Sequence, residues 1–109
     1  MPSTRPAIND RSTLREIQDY VWSMNVERGF DLKNPEKKML LLTEEVGEVA
    51  KAIRKLSGLK FTETMQQTEL AEEIADVFIV LTGLASLTGI DLFDAFMKKE
   101  EKNIERVWK

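Results

Sequence analysis

The stretch LLTEEVGEVA, residues 41–50, places three carboxylates inside a segment with the apolar spacing of a helix. On a helical wheel each residue advances about 100°, and Glu45 then falls on the apolar stripe and not on a polar face. Glu48 lies at the edge of that stripe, and Glu44 lies slightly beyond it. A carboxylate buried without a partner costs several kcal/mol. We therefore expect this segment to meet a cation, a hydrogen-bond network or a proton.

A second group of carboxylates extends the apolar stripe of a later predicted helix in the same way. Its members are Glu69, Glu72, Glu73 and Asp76. Within the two groups, Glu45 and Glu48 are three residues apart, as are Glu73 and Asp76, so each pair projects from one side of its helix. Antiparallel packing of the two helices would bring these four carboxylates together. Since like charges at such distances do not all stay ionised without a cation, the sequence predicts a metal site.

The amino-acid composition restricts the chemistry of that site. The chain has 109 residues, no cysteine and no histidine, which argues against thiolate sites, Ser–His nucleophiles, and zinc or di-iron ligation through histidine. Oxygen ligands favour Mg²⁺, with Mn²⁺ as a substitute. The net charge of −3 predicts no general attraction to a nucleic acid polymer or to an anionic membrane. No run of 18 apolar residues and no signal-peptide core is present, so we expect a cytoplasmic protein.

The periodicity predicts an all-α fold in one domain. Residues 1–11 form an N-terminal arm, and residues 12–109 form a helical domain with helices at about 13–28, 35–56, 65–88 and 92–109. We expect a four-helix-bundle-like protomer in which the two carboxylate-bearing helices are antiparallel. The third helix is apolar nearly all round over 77–87, which predicts a partner subunit in a dimer or tetramer. Five residues of the fourth helix are expected to face a core: Phe93, Phe96, Met97, Ile104 and Val107.

The motif residues resemble those of the MazG-like all-α nucleoside triphosphate pyrophosphohydrolases. That family has an EExxE motif followed, after a spacer, by ExxD, and here these are residues 44–48 and 73–76. The segments LLTEEVGEVAKAIRK, LAEEIADVFIVL and KNIERVWK also match, and the resemblance extends from Leu14 nearly to the end. It implies hydrolysis of a (d)NTP to a (d)NMP and pyrophosphate with Mg²⁺, with house-cleaning of unwanted or non-canonical nucleotides as one role. It also implies a homo-oligomer with sites near subunit contacts.

The resemblance implies roles for individual residues. Glu45, Glu48, Glu73 and Asp76 are the implied metal ligands. Glu44 is the implied extra carboxylate, as a further ligand or as the base that orients water, so Glu44 and Glu45 are the expected catalytic residues. The implied substrate contacts lie on the first helix and its exit, beyond the EExxE motif, and on the basic last helix. They are Gln18, Trp22, Asn25, Phe30, Lys51, Lys55, Lys102, Asn103 and Arg106. The branch that hydrolyses dCTP has an aromatic residue near the position of Lys55 and Leu56, so this sequence leaves the preferred base open.

Other interpretations of the same residues remain. A di-iron carboxylate bundle needs a Glu-x-x-His motif, which this chain lacks. A non-catalytic helical oligomer, acting as an interaction module, would require lysine partners for Glu45 and Asp76. Trp22 is also compatible with plain helix packing, and Lys51 with an ordinary solvated surface.

Overall fold

The computed structural model describes residues 8–58 and 63–106, and within them the fold is all-α with no strand. The helices are α1 (Leu14–Glu27), α2 (Pro35–Gly58), α3 (Glu63–Leu87) and α4 (Leu92–Glu105). Each starts within about two residues of its predicted position. Residues 1–7 of the expected arm and Val107 of the last helix lie outside the described residues, and the boundary between arm and domain stays a prediction.

Polar side chains fix the helix starts. Thr13 and Glu16 form the predicted capping box, since each side chain accepts a hydrogen bond from the other residue's backbone N–H. Asn34 Oδ1 accepts from the backbone N–H of Lys37 at 3.1 Å before α2. Asp91 caps α4 by accepting from the N–H of Asp94 at 2.9 Å. These contacts satisfy N–H groups that have no partner inside the helix.

Two glycines in the left-handed region end α1 and α3. Gly29 has φ +73° and Gly89 has φ +75°, a conformation that a Cβ disfavours. After each glycine the chain folds back, with Phe30 N–H donating to the Asn25 carbonyl and Ile90 N–H donating to the Ala85 carbonyl. These bonds satisfy carbonyls at the helix ends.

The α2–α3 hairpin is the most extensive helix pair in the fold. Lys55 of α2 bonds Glu69 of α3 at 3.0 Å, and further along the hairpin Leu42 lies beside Leu81 in one groove. The partner's number falls along α3 as the number rises along α2, so the helices are antiparallel. This confirms the predicted arrangement of the two carboxylate-bearing helices.

α1 packs on α3, and α4 packs mainly on α1. Val21 and Met24 of α1 are buried in the small apolar core. Between α3 and α4 the chain turns by 98°, and the turn is held by Arg15, which bonds Asp91 at 2.8 Å and Asp94 at 2.6 Å. α4 therefore crosses the end of the bundle instead of extending it.

The protomer leaves much apolar surface uncovered. Contrary to expectation, the described residues of the α4 face do not lie in a core of this chain. Phe96 is 60% exposed and Ile104 is 75% exposed, and Phe93 and Met97 are also exposed. The prediction failed for these residues because α4 turns away from α2 and contacts mainly α1, so no other described helix covers its apolar face.

Within the described residues, no single helix is long and apolar enough to cross a membrane. One bent pair of helices, Thr68–Leu87 with Leu92–Glu105, is together long and apolar enough to do so, judged by length and composition alone.

Candidate active site

Three carboxylates from two helices meet on one side of the hairpin. Glu45 extends from α2, and Glu73 and Asp76 extend from consecutive turns of α3. One oxygen from each lies within 4.8 Å of the oxygens of the other two. Glu45 and Glu73 are half-buried, whereas Asp76 is exposed. The antiparallel register produces this cluster, because it places the middle of α2 opposite the middle of α3.

The charge of the cluster is visible in the pKa of Glu73. Partial burial raises this pKa above its ordinary value, and the negative charges of Glu48, Asp76, Glu45 and, more weakly, Glu69 raise it further. Desolvation and like charges both disfavour the ionised carboxylate. The cluster is therefore under electrostatic repulsion that a cation would relieve.

The other two carboxylates of the EExxE motif lie near the cluster but are not part of it. Glu48 is exposed, although its charge acts on Glu73. Glu44 is exposed as well and does not join the group whose oxygens converge. The predicted ligand role of Glu48 and the predicted role of Glu44 as base both stay predictions.

The donor set of the cluster fits a hard divalent cation. It consists of carboxylate oxygens on two rigid helices, with one face open to solvent. Mg²⁺ takes oxygen ligands, keeps several waters and commonly binds one or two carboxylates together with substrate phosphates. Three converging carboxylates with an open side match that requirement.

The lysines that follow the motif differ in their surroundings. Lys55 Nζ bonds Glu69 Oε1 at 3.0 Å, so its charge is balanced by α3 one turn before Glu73. Lys51 is exposed and has no ion pair with another described residue. In this conformation Lys55 is a structural bridge of the hairpin, and Lys51 is the freer of the two.

Phe30 lies at the edge of a small cavity on the same side of α2 as the cluster. The cavity has about 180 Å³ and also contains Lys38 and Leu41, and Leu41 precedes Glu45 by one helical turn. Lys38 Nζ lies 5.5 Å from the centre of the Phe30 ring. The predicted role of Phe30 as a substrate contact stays a prediction.

Gln18 and Trp22 belong to a different cavity. They line an open groove of about 550 Å³ at the turn between α3 and α4, together with Arg15 and Asp91. Gln18 is only 7% exposed. Its Nε2 donates to Ser86 Oγ at 3.0 Å and to the Ile90 carbonyl at 2.8 Å. In this conformation the structure separates Gln18 and Trp22 from Phe30.

The predicted basic contacts of the last helix are Lys102, Asn103 and Arg106. They lie on α4 or at its end. Between Asp76 and the start of α4, α3 continues for about three more turns. Lys102 and Arg106 are exposed and Asn103 is half-buried. Among the described helices, the main packing partner of α4 is α1 and not the α2–α3 hairpin that carries the carboxylates, and the substrate role of these three residues stays a prediction.

The sequence analysis assigned no role to Lys38 and did not identify the partners of Glu69. Lys38 follows a proline-initiated helix start and looks like an ordinary surface lysine there. The available signal was its spacing, because it precedes Glu45 by seven residues and so shares its face of α2. Glu69 was seen only as part of an acidic patch, whereas it pairs with Lys55 and also acts on Glu73.

Comparison with models of protein families identifies the family of this chain. The family model of the MazG nucleotide pyrophosphohydrolase domain matches residues 33–108, which include α2, α3, α4 and every carboxylate of the cluster. A comparison with curated proteins found no significant match. The family depends in general on divalent metal ions, which agrees with the donor set of the cluster. The chain belongs to the MazG nucleotide pyrophosphohydrolase family.

Proposed function

We propose that this protein hydrolyses nucleoside triphosphates, (d)NTP, to (d)NMP and pyrophosphate in a reaction that depends on Mg²⁺, with Mn²⁺ as a substitute. The observation that carries the proposal is the meeting of Glu45, Glu73 and Asp76 oxygens within 4.8 Å of one another, in a chain of this family. House-cleaning of unwanted or non-canonical nucleotides is the role we propose for that activity.

Glu45, Glu73 and Asp76 would hold the cation, with Glu48 as a further ligand from the next turn of α2. The raised pKa of Glu73 supports this assignment, because a bound cation offsets the repulsion that raises it. When bound, a divalent cation supplies charge neutralisation and orientation of the phosphate groups. The chain supplies the rigid register of α2 and α3 that keeps the carboxylates in place.

A carboxylate acts as the base, since the chain has no histidine. Glu44, or Glu45, accepts a proton from the attacking water. The water oxygen bonds to the α-phosphorus while the bond from that phosphorus to the bridging oxygen breaks, and pyrophosphate leaves with the bonding electrons. Lys51 lies one turn beyond Glu48 and is the lysine of α2 that we propose to contact the departing phosphates.

We propose further that the active form is a dimer or tetramer. Support comes from the apolar side chains left exposed on α3 and α4, among them Phe78, Phe96 and Ile104, since large exposed apolar faces mark interaction surfaces. A neighbouring subunit would then bring its own Lys102, Asn103 and Arg106 toward the phosphates.

A substrate panel with product analysis tests the proposed reaction. The protein is incubated with ribo- and deoxyribonucleoside triphosphates and Mg²⁺, and products are separated by anion-exchange chromatography. Monophosphate and pyrophosphate in equal amounts support the proposal. Release of orthophosphate contradicts it, and absence of turnover across the panel favours a non-catalytic interaction module.

A further inference from the structure

One face of α2 is apolar and yet exposed to solvent. Met39, Leu40, Val46 and Ile53 are 50%, 66%, 51% and 47% exposed. At about 100° per residue on a helical wheel, these four side chains lie within one sector of about 140°, the outer face of α2. Contiguous exposed apolar surface of this kind marks an interaction site.

The outer face carries no charged side chain between its two ends. Glu36 lies on this sector at the beginning of α2 and Arg54 lies on it near the end, eighteen residues or five full turns later. Both residues are exposed, and neither forms an ion pair with another described residue. A solvated helix face normally carries polar and charged side chains along its length. The outer face therefore has the character of a contact surface with one charge of each sign at its ends.

This pattern is self-complementary about Val46. Met39 lies seven residues before Val46 and Ile53 lies seven residues after it, whereas Glu36 and Arg54 lie ten before and eight after. A two-fold axis through Val46 would set α2 antiparallel to the α2 of a second copy, with Met39 of one copy opposite Ile53 of the other. Each Glu36 would then lie within two residues, or about 3 Å along the axis, of Arg54 of the other copy. Opposite charges would meet at both ends of the helix pair.

The outer face has room for a second helix. Gly47 and Ala50 lie on it and are exposed, and a Cβ at Gly47 would have no neighbour within 4 Å. Met39 and Val46 also border an apolar groove of about 390 Å³ between α2 and α3, which adjoins this face. On the wheel the outer face is centred about 150° from Glu45, so a helix docked there leaves the carboxylate cluster open.

We propose that a second copy of this chain docks on the outer face of α2, with the two α2 helices antiparallel about Val46 and with Glu36 of each copy paired with Arg54 of the other. This inference rests on the self-association proposed above and assigns it to α2, whereas the exposed side chains named there lie on α3 and α4. Apolar contact over about 21 Å of helix, from Met39 to Ile53, supplies the attraction. The two terminal ion pairs fix the orientation and the register.

Charge reversal followed by mixing tests the register. Glu36→Arg and Arg54→Glu each bring like charges together at both ends of the helix pair, so the dimer dissociation constant measured by sedimentation velocity should rise by about 10- to 100-fold. In a mixed dimer of the two variants, opposite charges meet again at both ends. The dissociation constant of the mixture should therefore return to within about threefold of the wild-type value. Glu27→Arg and Arg11→Glu, alone and mixed, are the matched controls away from α2 and should leave the wild-type value unchanged.

A disulfide cross-link tests the position of the axis. The chain contains no cysteine, so Val46→Cys gives each copy a single thiol, and the two thiols should face each other across the axis. Helices in contact bring facing residues within disulfide range. Oxidation should therefore link Val46→Cys chains into a covalent dimer on a non-reducing gel, whereas Glu27→Cys, at the exposed end of α1, should run as a monomer.

Association is measured without nucleotide or Mg²⁺, and circular dichroism checks the fold of each variant. Three results would each overturn the proposal: a wild-type chain that stays monomeric, a mixture that associates no better than its two components, or equal cross-linking of Val46→Cys and Glu27→Cys. A chain that associates in this way but hydrolyses no triphosphate would refute the proposed reaction and leave the interface standing.

Discussion

Replacement of Gln18 by leucine separates a structural role from a substrate-binding role. The Gln18 amide donates to the Ile90 carbonyl at 2.8 Å and accepts from the Leu92 N–H at 3.0 Å. Leu92 is the first residue of α4, so its N–H has no acceptor inside the helix. Gln18 thus joins α1 to the turn between α3 and α4. In Gln18→Leu both backbone groups lose these partners.

The expected loss follows from those two groups. Each unsatisfied group costs about 1–3 kcal/mol, and the lower end applies because both contacts are only partly buried and water replaces part of them. The free energy of unfolding should therefore fall by about 2 kcal/mol. For a chain of this size, that corresponds to a fall in Tm of about 8–16 °C. Ser86→Ala is the matched control: it removes only the bond to Ser86 Oγ, so its loss should stay below about 1 kcal/mol.

Thermal unfolding followed by circular dichroism at one protein concentration measures both variants. A constant concentration matters because self-association contributes to apparent stability. Substrate kinetics is measured on the same samples below their Tm. If Gln18→Leu kept its Tm and raised KM for nucleotides, the structural role would be refuted and the sequence-based assignment to substrate binding would stand.

Three further perturbations test other parts of the molecule. The raised pKa of Glu73 means that the folded metal-free chain gains protons before the unfolded chain does. Its stability should therefore rise as the pH falls from neutrality through that pKa. Mg²⁺ should raise the Tm measured by scanning fluorimetry more at about pH 7.5 than at about pH 5, because the cation binds ionised carboxylates. An equal rise in Tm at both pH values would contradict this. The hydrogen bonds from Asp94 N–H and Arg15 hold the pKa of Asp91 below its usual range, so Asp91 adds stability that is lost as the pH falls through the lowered pKa. Asp91→Asn should lower Tm near neutrality, and the Tm difference between wild type and variant should become smaller in acid. A Tm difference that does not depend on pH would show that the ionised Asp91 carboxylate does not contribute this stability. Phe96→Glu places a charge on the exposed face of α4 and should reduce the oligomer mass in light scattering with little change in protomer helicity, and an unchanged mass would show that this face is not an interface.

The sequence predicted the helices well because their boundary signals are local. The Thr13–Glu16 capping box, the Asp91 cap and the glycines after α1 and α3 each act within a few residues of the chain. The pairing of α2 and α3 was also predictable, since both helices carry carboxylates on an apolar stripe and a shared cation offsets the charge of both groups when the helices pack together.

The environment of α4 and the partners of single polar side chains were not predictable. The apolar face of α4 indicates that these side chains are buried, but it does not indicate whether this chain or another subunit buries them. The 98° turn before α4 is bridged by Arg15, which is about eighty residues away from its acidic partners. Gln18 bonds the Ile90 carbonyl and the Leu92 N–H, and these partners could not be read from the sequence, because a polar residue beside an apolar stripe has the same pattern whether it binds a ligand or a distant backbone group. Its predicted substrate contact stays a prediction.

Substitution of the cluster itself is the most direct test of its proposed role. Glu45→Gln and Glu73→Gln keep the side-chain shapes and remove the charges, and Glu27→Gln at the end of α1 is the matched control. Turnover of the best triphosphate is measured against Mg²⁺ concentration, with the helical fold checked for each variant. We predict that both cluster variants stay folded and lose Mg²⁺-dependent release of pyrophosphate, while Glu27→Gln retains it. Folded cluster variants with full activity would contradict the assignment of Glu45, Glu73 and Asp76 as the metal centre.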